Sequence, residues 1–321
     1  MPTILISAPY MLPILDRFAP MLKSHNLDLI TPEVQERLEE DEILKYAGKF
    51  DGAICGDDRF SARVLAACAP RLKVISKWGT GIDSIDSAAC ERLGVKLFRT
   101  PDAFTLPVAD SVMGYLLAFA RRLPWMDKAM KAGVWQKIPG RALHECVLGI
   151  IGVGTIGKVV ALRASAFGMK VLGNDIVEID GVFISESGIQ MTDLDTLLKN
   201  SDFVSLNCDL NPTSFHLINS RTLSLMRSNA ILVNTARGPI VDEQALVAAL
   251  KAGTIGGAAL DLFEIEPLPA DSPLKQMDNV MLAPHNANSS PTAWEQVHWN
   301  TIRNLLTGLG IAFDKQKLNS N

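Results

Sequence analysis

The chain has no dense run of lysine and arginine, no CxxC pair and no apolar stretch long enough to span a bilayer. Each absence removes a class of function. With a formal net charge of -4 and a pI near 5.8, it offers no broad basic field, so nucleic acid is not an expected partner. The five cysteines, Cys55, Cys68, Cys90, Cys146 and Cys208, are odd in number and widely spaced. They suggest neither a disulfide frame nor a zinc site and read as buried thiols in a reducing compartment. Residues 1–10 lack a charged leader before an apolar run, and the longest apolar stretch, 112–120, is far short of the ~20 residues a membrane helix needs. The expected setting is cytoplasmic, with no membrane partner.

What is present is apolar material in short, regularly spaced runs. With 48% hydrophobic residues over 321 positions, the chain can bury a large core and fits two domains better than one. TILIS, GAIC, KVIS and VKLF, the last around Lys96, alternate with helical patterns at 33–47 and 61–69, which predicts a small doubly wound parallel sheet. The Pro-punctuated passage RTPDAFTLP (99–107) marks a crossing into a second domain, and VADSVMGYLLAFARR has the spacing of a long, largely buried helix. From Cys146, the runs CVLGII, KVLGN, FVSLN, AILVN, GGAAL and NVMLA are separated by helical segments such as 242–252. They read as central parallel strands buried on both faces. Pro291 opens a last amphipathic helix expected to pack back across the first domain. The fold class is therefore α/β, with two doubly wound parallel-sheet domains, the first discontinuous (1–100 and 287–321) and the second spanning 101–286. No internal repeat or low-complexity segment is evident.

GVGTIG places Gly152, Gly154 and Gly157 between the strand CVLGII and a helix running towards Phe167. The first glycine permits a tight turn, the second lets backbone approach a pyrophosphate, and the third lets helix and strand pack closely. The helix start, with Thr155 and Ile156, supplies unpaired N–H groups and a partial positive charge to phosphates. Alone the pattern is weak. Here the next strand ends in Asp175, eighteen residues after Gly157, where a carboxylate accepts from ribose hydroxyls and repels a 2'-phosphate. Ile176, Val177 and Glu178 supply no cation, so NAD is expected over NADP. The alternative is a glycine turn followed by an incidental aspartate.

Three further residues carry chemistry. Arg237 follows the strand AILVNTA, whose last residues Thr235 and Ala236 are expected to touch the cofactor. Its guanidinium fork suits a carboxylate and an adjacent keto oxygen, although it reads equally as a surface arginine before the Gly238-Pro239 turn. His285, after NVMLA and Pro284, is placed to protonate an oxygen as hydride reaches its carbon. The other histidines, His25, His144, His216 and His298, lack such a setting and read as surface or core residues. Glu266, after ALDLF, would favour the imidazolium form of a neighbouring histidine and orient its ring. Alone, it is a loop glutamate before Pro267.

Together these segments resemble the D-isomer-specific 2-hydroxyacid dehydrogenases over roughly 78–289. The resemblance implies a flavodoxin-like substrate domain with an inserted NAD-binding Rossmann domain, and a homodimer formed through the latter. It implies that Arg237 orients the substrate, His285 is the acid/base and Glu266 its partner. It also assigns Asp261 to the nicotinamide carboxamide, and the loop WGTGID to the substrate, with the N–H groups of Gly79, Thr80 and Gly81 on its carboxylate. Trp78 either floors that pocket or is a buried structural residue. The chain departs from the family at Asn286, Ala287 and Asn288, where paired glycines are frequent, at Asn207, Cys208 and Asp209, where His and Pro often stand, and at Asp110, usually Glu. The expected activity is NAD-dependent oxidoreduction of a small 2-hydroxy or 2-oxo acid. A phosphoglycerate-type substrate, with Lys77, Arg59 and Arg141 as candidate phosphate cations, is ranked ahead of a glyoxylate or hydroxypyruvate type. An NADH-sensing corepressor of the same fold is the reading of another class; the absence of extended tails beyond the fold counts against it.

Overall fold

The apolar runs of the first hundred residues become five strands, β1 (Thr3–Ile6), β2 (Asp28–Ile30), β3 (Gly52–Cys55), β4 (Val74–Lys77) and β5 (Lys96–Phe98). In the computed structural model, which describes residues 1–313, they are all parallel and ordered β2-β1-β3-β4-β5, the flavodoxin-like order. β3 and β4 are buried at every position; β3 accordingly reads as an unbroken apolar run rather than as an alternation, while β4 ends in the buried Ser76 and Lys77. The helix Pro291–Gly308 packs on β3, β4 and β5, and Ser76 Oγ donates to the Thr301 carbonyl at 2.8 Å. One unit therefore comprises Met1–Phe104 with the chain from Ser290 onward, and the other Thr105–Ser289. Residues 314–321 of the expected first domain lie outside the described residues.

The helix expected over 33–47 is shorter: only Glu40–Leu44 is helical. The cause is a tertiary competitor. The Leu38 N–H donates to the buried carboxylate of Asp58 at 2.6 Å and the Leu38 carbonyl accepts from Arg59, so this segment is pinned in an irregular path. The helix begins afterwards, where Glu42 accepts from the Glu39 N–H.

The second sheet contains β6 (Val147–Ile151), β7 (Lys170–Asn174), β8 (Gln190–Met191), β9 (Phe203–Leu206), β10 (Ile231–Asn234), β11 (Gly257–Leu260) and β12 (Val280–Leu282). All are parallel, in the order β12-β11-β10-β9-β6-β7-β8. Along β10, Ile231 and Val233 enter one apolar core while Leu232 enters the other, the signature of a strand buried on both faces. The long helix Thr105–Ala120 contributes Val112, Leu116 and Phe119 to the first of these cores. Chain direction across the sheet reverses at β6, which has β7 on one side and β9 on the other. Open α/β sheets bind ligands at the carboxyl ends of the strands beside such a switch point. Among the described residues no helix is long and apolar enough to cross a membrane.

Candidate active site

The loop leaving β6 has the backbone geometry its glycines require. Gly152 has φ +88, and a Cβ there would lie 2.5 Å from the backbone nitrogen of Cys208. The segment after β9 thus closes directly on the loop, and Cys208 serves through its main chain. A Cβ on Gly157 would collide with the carbonyl of Gly152, whereas one on Gly154 would meet nothing within 4 Å. Gly154 caps the helix Thr155–Ala166 without any side-chain cap, leaving the first N–H groups, from Thr155 on, without a side-chain acceptor from the cap. At the end of β7, Asp175 accepts from the N–H of Val153 at 2.6 Å and of Val177 at 3.0 Å. Thr235 Oγ1 and Asn207 Oδ1, beyond β10 and β9, are buried without hydrogen-bond partners. Open helix N–H groups, a ribose-type carboxylate and unsatisfied polar atoms on one edge fit a dinucleotide.

Further along the same edge, the segments after β10, β11 and β12 carry the candidate residues Arg237, Glu266 and His285. Asn234 shapes the turn after β10: its Nδ2 donates to the Arg237 carbonyl at 2.9 Å and its Oδ1 accepts from the Ala236 N–H at 3.0 Å. The Arg237 guanidinium donates to the Ala236 carbonyl at 2.8 Å. Next in the chain, Gly238 presses on the neighbouring loop so closely that a Cβ would overlap the Phe263 carbonyl and lie 2.6 Å from the Glu264 nitrogen. That loop holds Glu266, whose Oε1 accepts from the Phe263 N–H at 3.0 Å and whose Oε2 lies 3.2 Å from His285 Nδ1. Glu266 and His285 are thus side by side, and the turn bearing Arg237 abuts the segment leading to Glu266.

His285 has φ 50, a left-handed conformation uncommon outside glycine. Asp261, 1% exposed, holds it there. The Asp261 carbonyl accepts from the His285 N–H at 2.8 Å, and its two carboxylate oxygens accept from the N–H groups of Asn286 and Ala287, each at 2.8 Å. Burial pushes the Asp261 carboxyl up, and these two hydrogen bonds pull it part of the way back. Ser111 Oγ ties the Ala287 carbonyl to the long helix at 3.1 Å. Asp110, in that helix, pairs with Arg163 at 3.1 Å.

In the other unit, Trp78 to Gly81 follow β4. Gly79 has φ +122; its carbonyl accepts from the Thr100 N–H at 2.8 Å, and Thr80 Oγ1 donates to the Thr100 carbonyl at 2.9 Å. Trp78 is buried, and its Nε1 donates to His298 Nδ1 at 2.9 Å. Burial drives the His298 imidazole down to about 4, so the ring is neutral and its nitrogen can accept. Sequence reasoning missed a second histidine–glutamate pair: His216 Nε2 lies 2.5 Å from Glu264 Oε1, with Phe215 stacked on the ring at 4.1 Å. No local signal could have found it, because the partners are 48 residues apart.

A family model described as D-isomer specific 2-hydroxyacid dehydrogenase, NAD binding domain, matches residues 113–287. A glyoxylate reductase of Thermofilum pendens is 41% identical over 276 residues, covering 84% of this chain and 81% of that protein. A D-3-phosphoglycerate dehydrogenase of Methanocaldococcus jannaschii is 39% identical over 81% of this chain but only 50% of its own length. Among solved structures, a D-lactate dehydrogenase from Aquifex aeolicus, in complex with NAD and lactic acid, superposes with a TM-score of 0.83 at 29% identity, covering 96% of this chain and 95% of that one.

Proposed function

This chain belongs to the D-isomer specific 2-hydroxyacid dehydrogenases, and we propose that it reduces a small, unphosphorylated 2-oxo acid of the glyoxylate or hydroxypyruvate kind with NADH. The observation that carries the reading is the Glu266–His285 pair, 3.2 Å apart, on the strand edge that also bears Arg237. With Nδ1 turned to Glu266, Nε2 is the ring nitrogen assigned to deliver the proton to the developing alkoxide. The Arg237 fork takes the carboxylate and keto oxygen together. In the other unit, the backbone N–H groups of Gly79, Thr80 and Gly81 are donors suited to a carboxylate. When bound, NADH supplies the hydride, and its pyrophosphate is held by the Gly152–Gly157 loop and its ribose by Asp175, with Thr235, Ala236 and Asp261 towards the nicotinamide end.

Two of the three candidate phosphate cations are occupied. Lys77 is buried and pairs with Asp57 at 3.0 Å. Arg141 pairs with Asp202 at 2.8 Å, at the amino end of β9 and so at the edge opposite the glycine loop. This ordering favours the unphosphorylated acids over phosphoglycerate. The proposal extends to a cytoplasmic homodimer: all five cysteines are free thiols, four of them buried, and the helix Leu123–Lys131 buries no residue while Trp135 beyond it is 89% exposed, surface that a second copy can cover.

The test is loss of NADH absorbance with a panel of 2-oxo acids, phosphorylated and not, using wild type and His285→Ala. The variant is expected to lose roughly 10²–10⁴-fold in kcat with NADH affinity nearly unchanged. Comparable turnover in the variant removes the mechanism, and exclusive use of a phosphorylated acid removes the substrate assignment.

A further inference from the structure

The loop that carries Glu266 has little apolar hold of its own. Asp261, Leu262 and Phe263 are buried where the chain leaves β11, but Ile265 is 62% exposed and the glutamates on either side of it are half-buried. The hydrogen bond from the Phe263 N–H to Glu266 Oε1 closes within the loop, so it shapes the loop without tying it to the rest of the unit. A group that must orient another to within about 0.5 Å needs outside support.

The second histidine–glutamate pair supplies it. Glu264 Oε1 lies 2.5 Å from His216 Nε2, and because an ionised carboxylate can only accept, that nitrogen carries the proton and donates it. The Glu264 N–H also donates to Glu243 Oε2, at the longer distance of 3.3 Å. His216 is anchored in turn. Its N–H donates to the Pro239 carbonyl at 2.9 Å, its carbonyl accepts from Asn219 Nδ2 at 2.9 Å, and the N–H of the buried Ile218 donates to the Ile240 carbonyl at 3.0 Å. Phe215 stacks on the ring, 4.1 Å between centroids. Pro239 and Ile240 belong to the short turn directly after Arg237, so His216 bridges that turn and the loop leading to Glu266. All of these residues lie in the Thr105–Ser289 unit.

We infer that His216 and Glu264 are positioning residues for the reaction, acting through Glu266 by holding its carboxylate on His285. The loop is gripped between two imidazoles, with Glu264 on His216 and, two residues later, Glu266 on His285. Without the pair, the loop keeps only its internal bond and the longer bond to Glu243, and Glu266 gains freedom to leave Nδ1 of His285. The imidazolium then loses part of its stabilisation, and the form able to protonate an oxo acid is lost at lower pH. Asp261, the buried carboxylate that also acts on this ring, is held by the N–H groups of Asn286 and Ala287 and does not depend on the pair. The assignment rests on the proposed acid/base role of His285.

Glu264→Ala and His216→Phe each delete the bond, the second keeping a ring against Phe215, whereas Glu264→Gln keeps an acceptor for the Nε2 proton. Each deletion is expected to lower kcat roughly tenfold, with NADH affinity unchanged. It should also move the alkaline fall of kcat/KM for 2-oxo-acid reduction down by roughly 0.5–1 pH unit. The double variant should lose no more than either single one, since both remove the same interaction. Glu264→Gln should restore most of kcat and return the pH profile towards that of wild type. A role in stability alone would lower the melting temperature and leave the pH profile of the folded enzyme in place. That outcome, additive losses in the double variant, or a Glu264→Gln variant no better than Glu264→Ala overturns the assignment. A measurement on unaltered protein covers deletion variants that do not fold: in the imidazole ¹H–¹⁵N spectrum the Nε2 proton of His216 should exchange with solvent more slowly than the ring protons of the exposed His144, and equally fast exchange overturns the pair. Wild-type turnover left unaltered in every variant sinks only this pair, whereas turnover of no 2-oxo acid by wild type sinks it together with the proposed function.

Discussion

Lowering the pH from 7 to 4 should leave the stability of the wild-type first unit almost unchanged, because two buried groups there titrate in opposite senses. Asp58 is fully buried and accepts from Leu38 N–H, Gly56 N–H and Ser7 Oγ at 2.6, 2.8 and 2.8 Å. Burial nevertheless pushes its carboxyl from 3.8 up to about 6. His298, 2% exposed, is pushed by burial from 6.5 down to about 4, with Glu295 opposing the shift. Between about 6 and 3.8 the folded chain holds a proton on Asp58 that the unfolded chain has released, so that contribution grows as pH falls and is lost as pH rises through 6. Between 6.5 and about 4 the unfolded chain holds a proton on His298 that the folded chain refuses. That contribution is present above 6.5 and is lost as pH falls. Each window spans a little over two pH units and is worth about 3 kcal/mol, with opposite sign. The pair therefore nearly cancels. His298→Gln keeps an acceptor for Trp78 and should make the unit gain about 2–3 kcal/mol on acidification, relative to wild type. Asp58→Asn should make it lose a similar amount. Urea midpoints followed by tryptophan fluorescence at pH 7, 6, 5 and 4 give both slopes, with Trp78, Trp294 and Trp299 reporting from this unit. Asp51 with its lowered value is common to all three proteins and drops out of the differences, and Glu295, lowered mainly by Arg17 and least by His298, changes little between them. Parallel pH profiles for the two variants would refute the reasoning.

Gly238→Ala forces a Cβ into the main chain of Phe263 and Glu264, which no side-chain rotation can relieve. About 1–3 kcal/mol of stability should be lost, and kcat/KM should fall roughly 10²-fold from displacement of Arg237 and Glu266; near-normal turnover with an unchanged melting curve would contradict the close approach. Asp261→Asn retains one acceptor where two backbone N–H groups need one each, so thermal stability should drop by about 1–3 kcal/mol and kcat should fall with it, whereas a variant that melts and turns over like wild type would show that the carboxylate does not hold the histidine turn. Asp175→Ala removes the proposed acceptor for ribose hydroxyls and the charge that would oppose a 2'-phosphate, so the NADPH to NADH ratio of kcat/KM should rise by roughly tenfold or more; an unchanged ratio would place cofactor choice elsewhere.

The parts of this molecule that were legible in its sequence are those that depend on periodicity and on chain neighbours. Both parallel sheets could be read because strands buried on two faces are unbroken apolar runs, as in GAIC and ILVN. The glycine loop could be read because Gly152, Gly154 and Gly157 act within one turn. Arg237 and His285 could be located at strand ends for the same reason. The overextended helix at 33–47 shows the limit. Its residues have helical spacing, and what stops the helix is the Asp58 carboxylate 20 positions away, which takes the Leu38 N–H. Trp78 with His298, separated by 220 positions, and His216 with Glu264, separated by 48, were equally beyond local pattern. A side-chain pairing of that span is decided by strand order.

The histidine turn shows a further reason why a departure from family pattern can be silent. Because β11 and β12 are parallel neighbours with Leu260 opposite Leu282, the residue just after β11 faces the turn just after β12. Asp261 and His285 therefore meet whatever stands beyond them. The turn uses the amide hydrogens of residues 286 and 287 and not their side chains, and asparagine and alanine offer those hydrogens as well as glycine does. Moreover, the positive φ falls on His285 itself, so paired glycines after it are not needed for backbone freedom. Replacement of Asn286 by any residue other than proline, or of the buried Ala287 by glycine, should keep the anchor, whereas replacement of Asp261 should not. Conservative scanning of the two positions, read as the melting temperature and kcat of Asn286→Gly and Ala287→Gly, should therefore find little change, and a loss as large as that of Asp261→Asn would show that the side chains, not the N–H groups, hold His285.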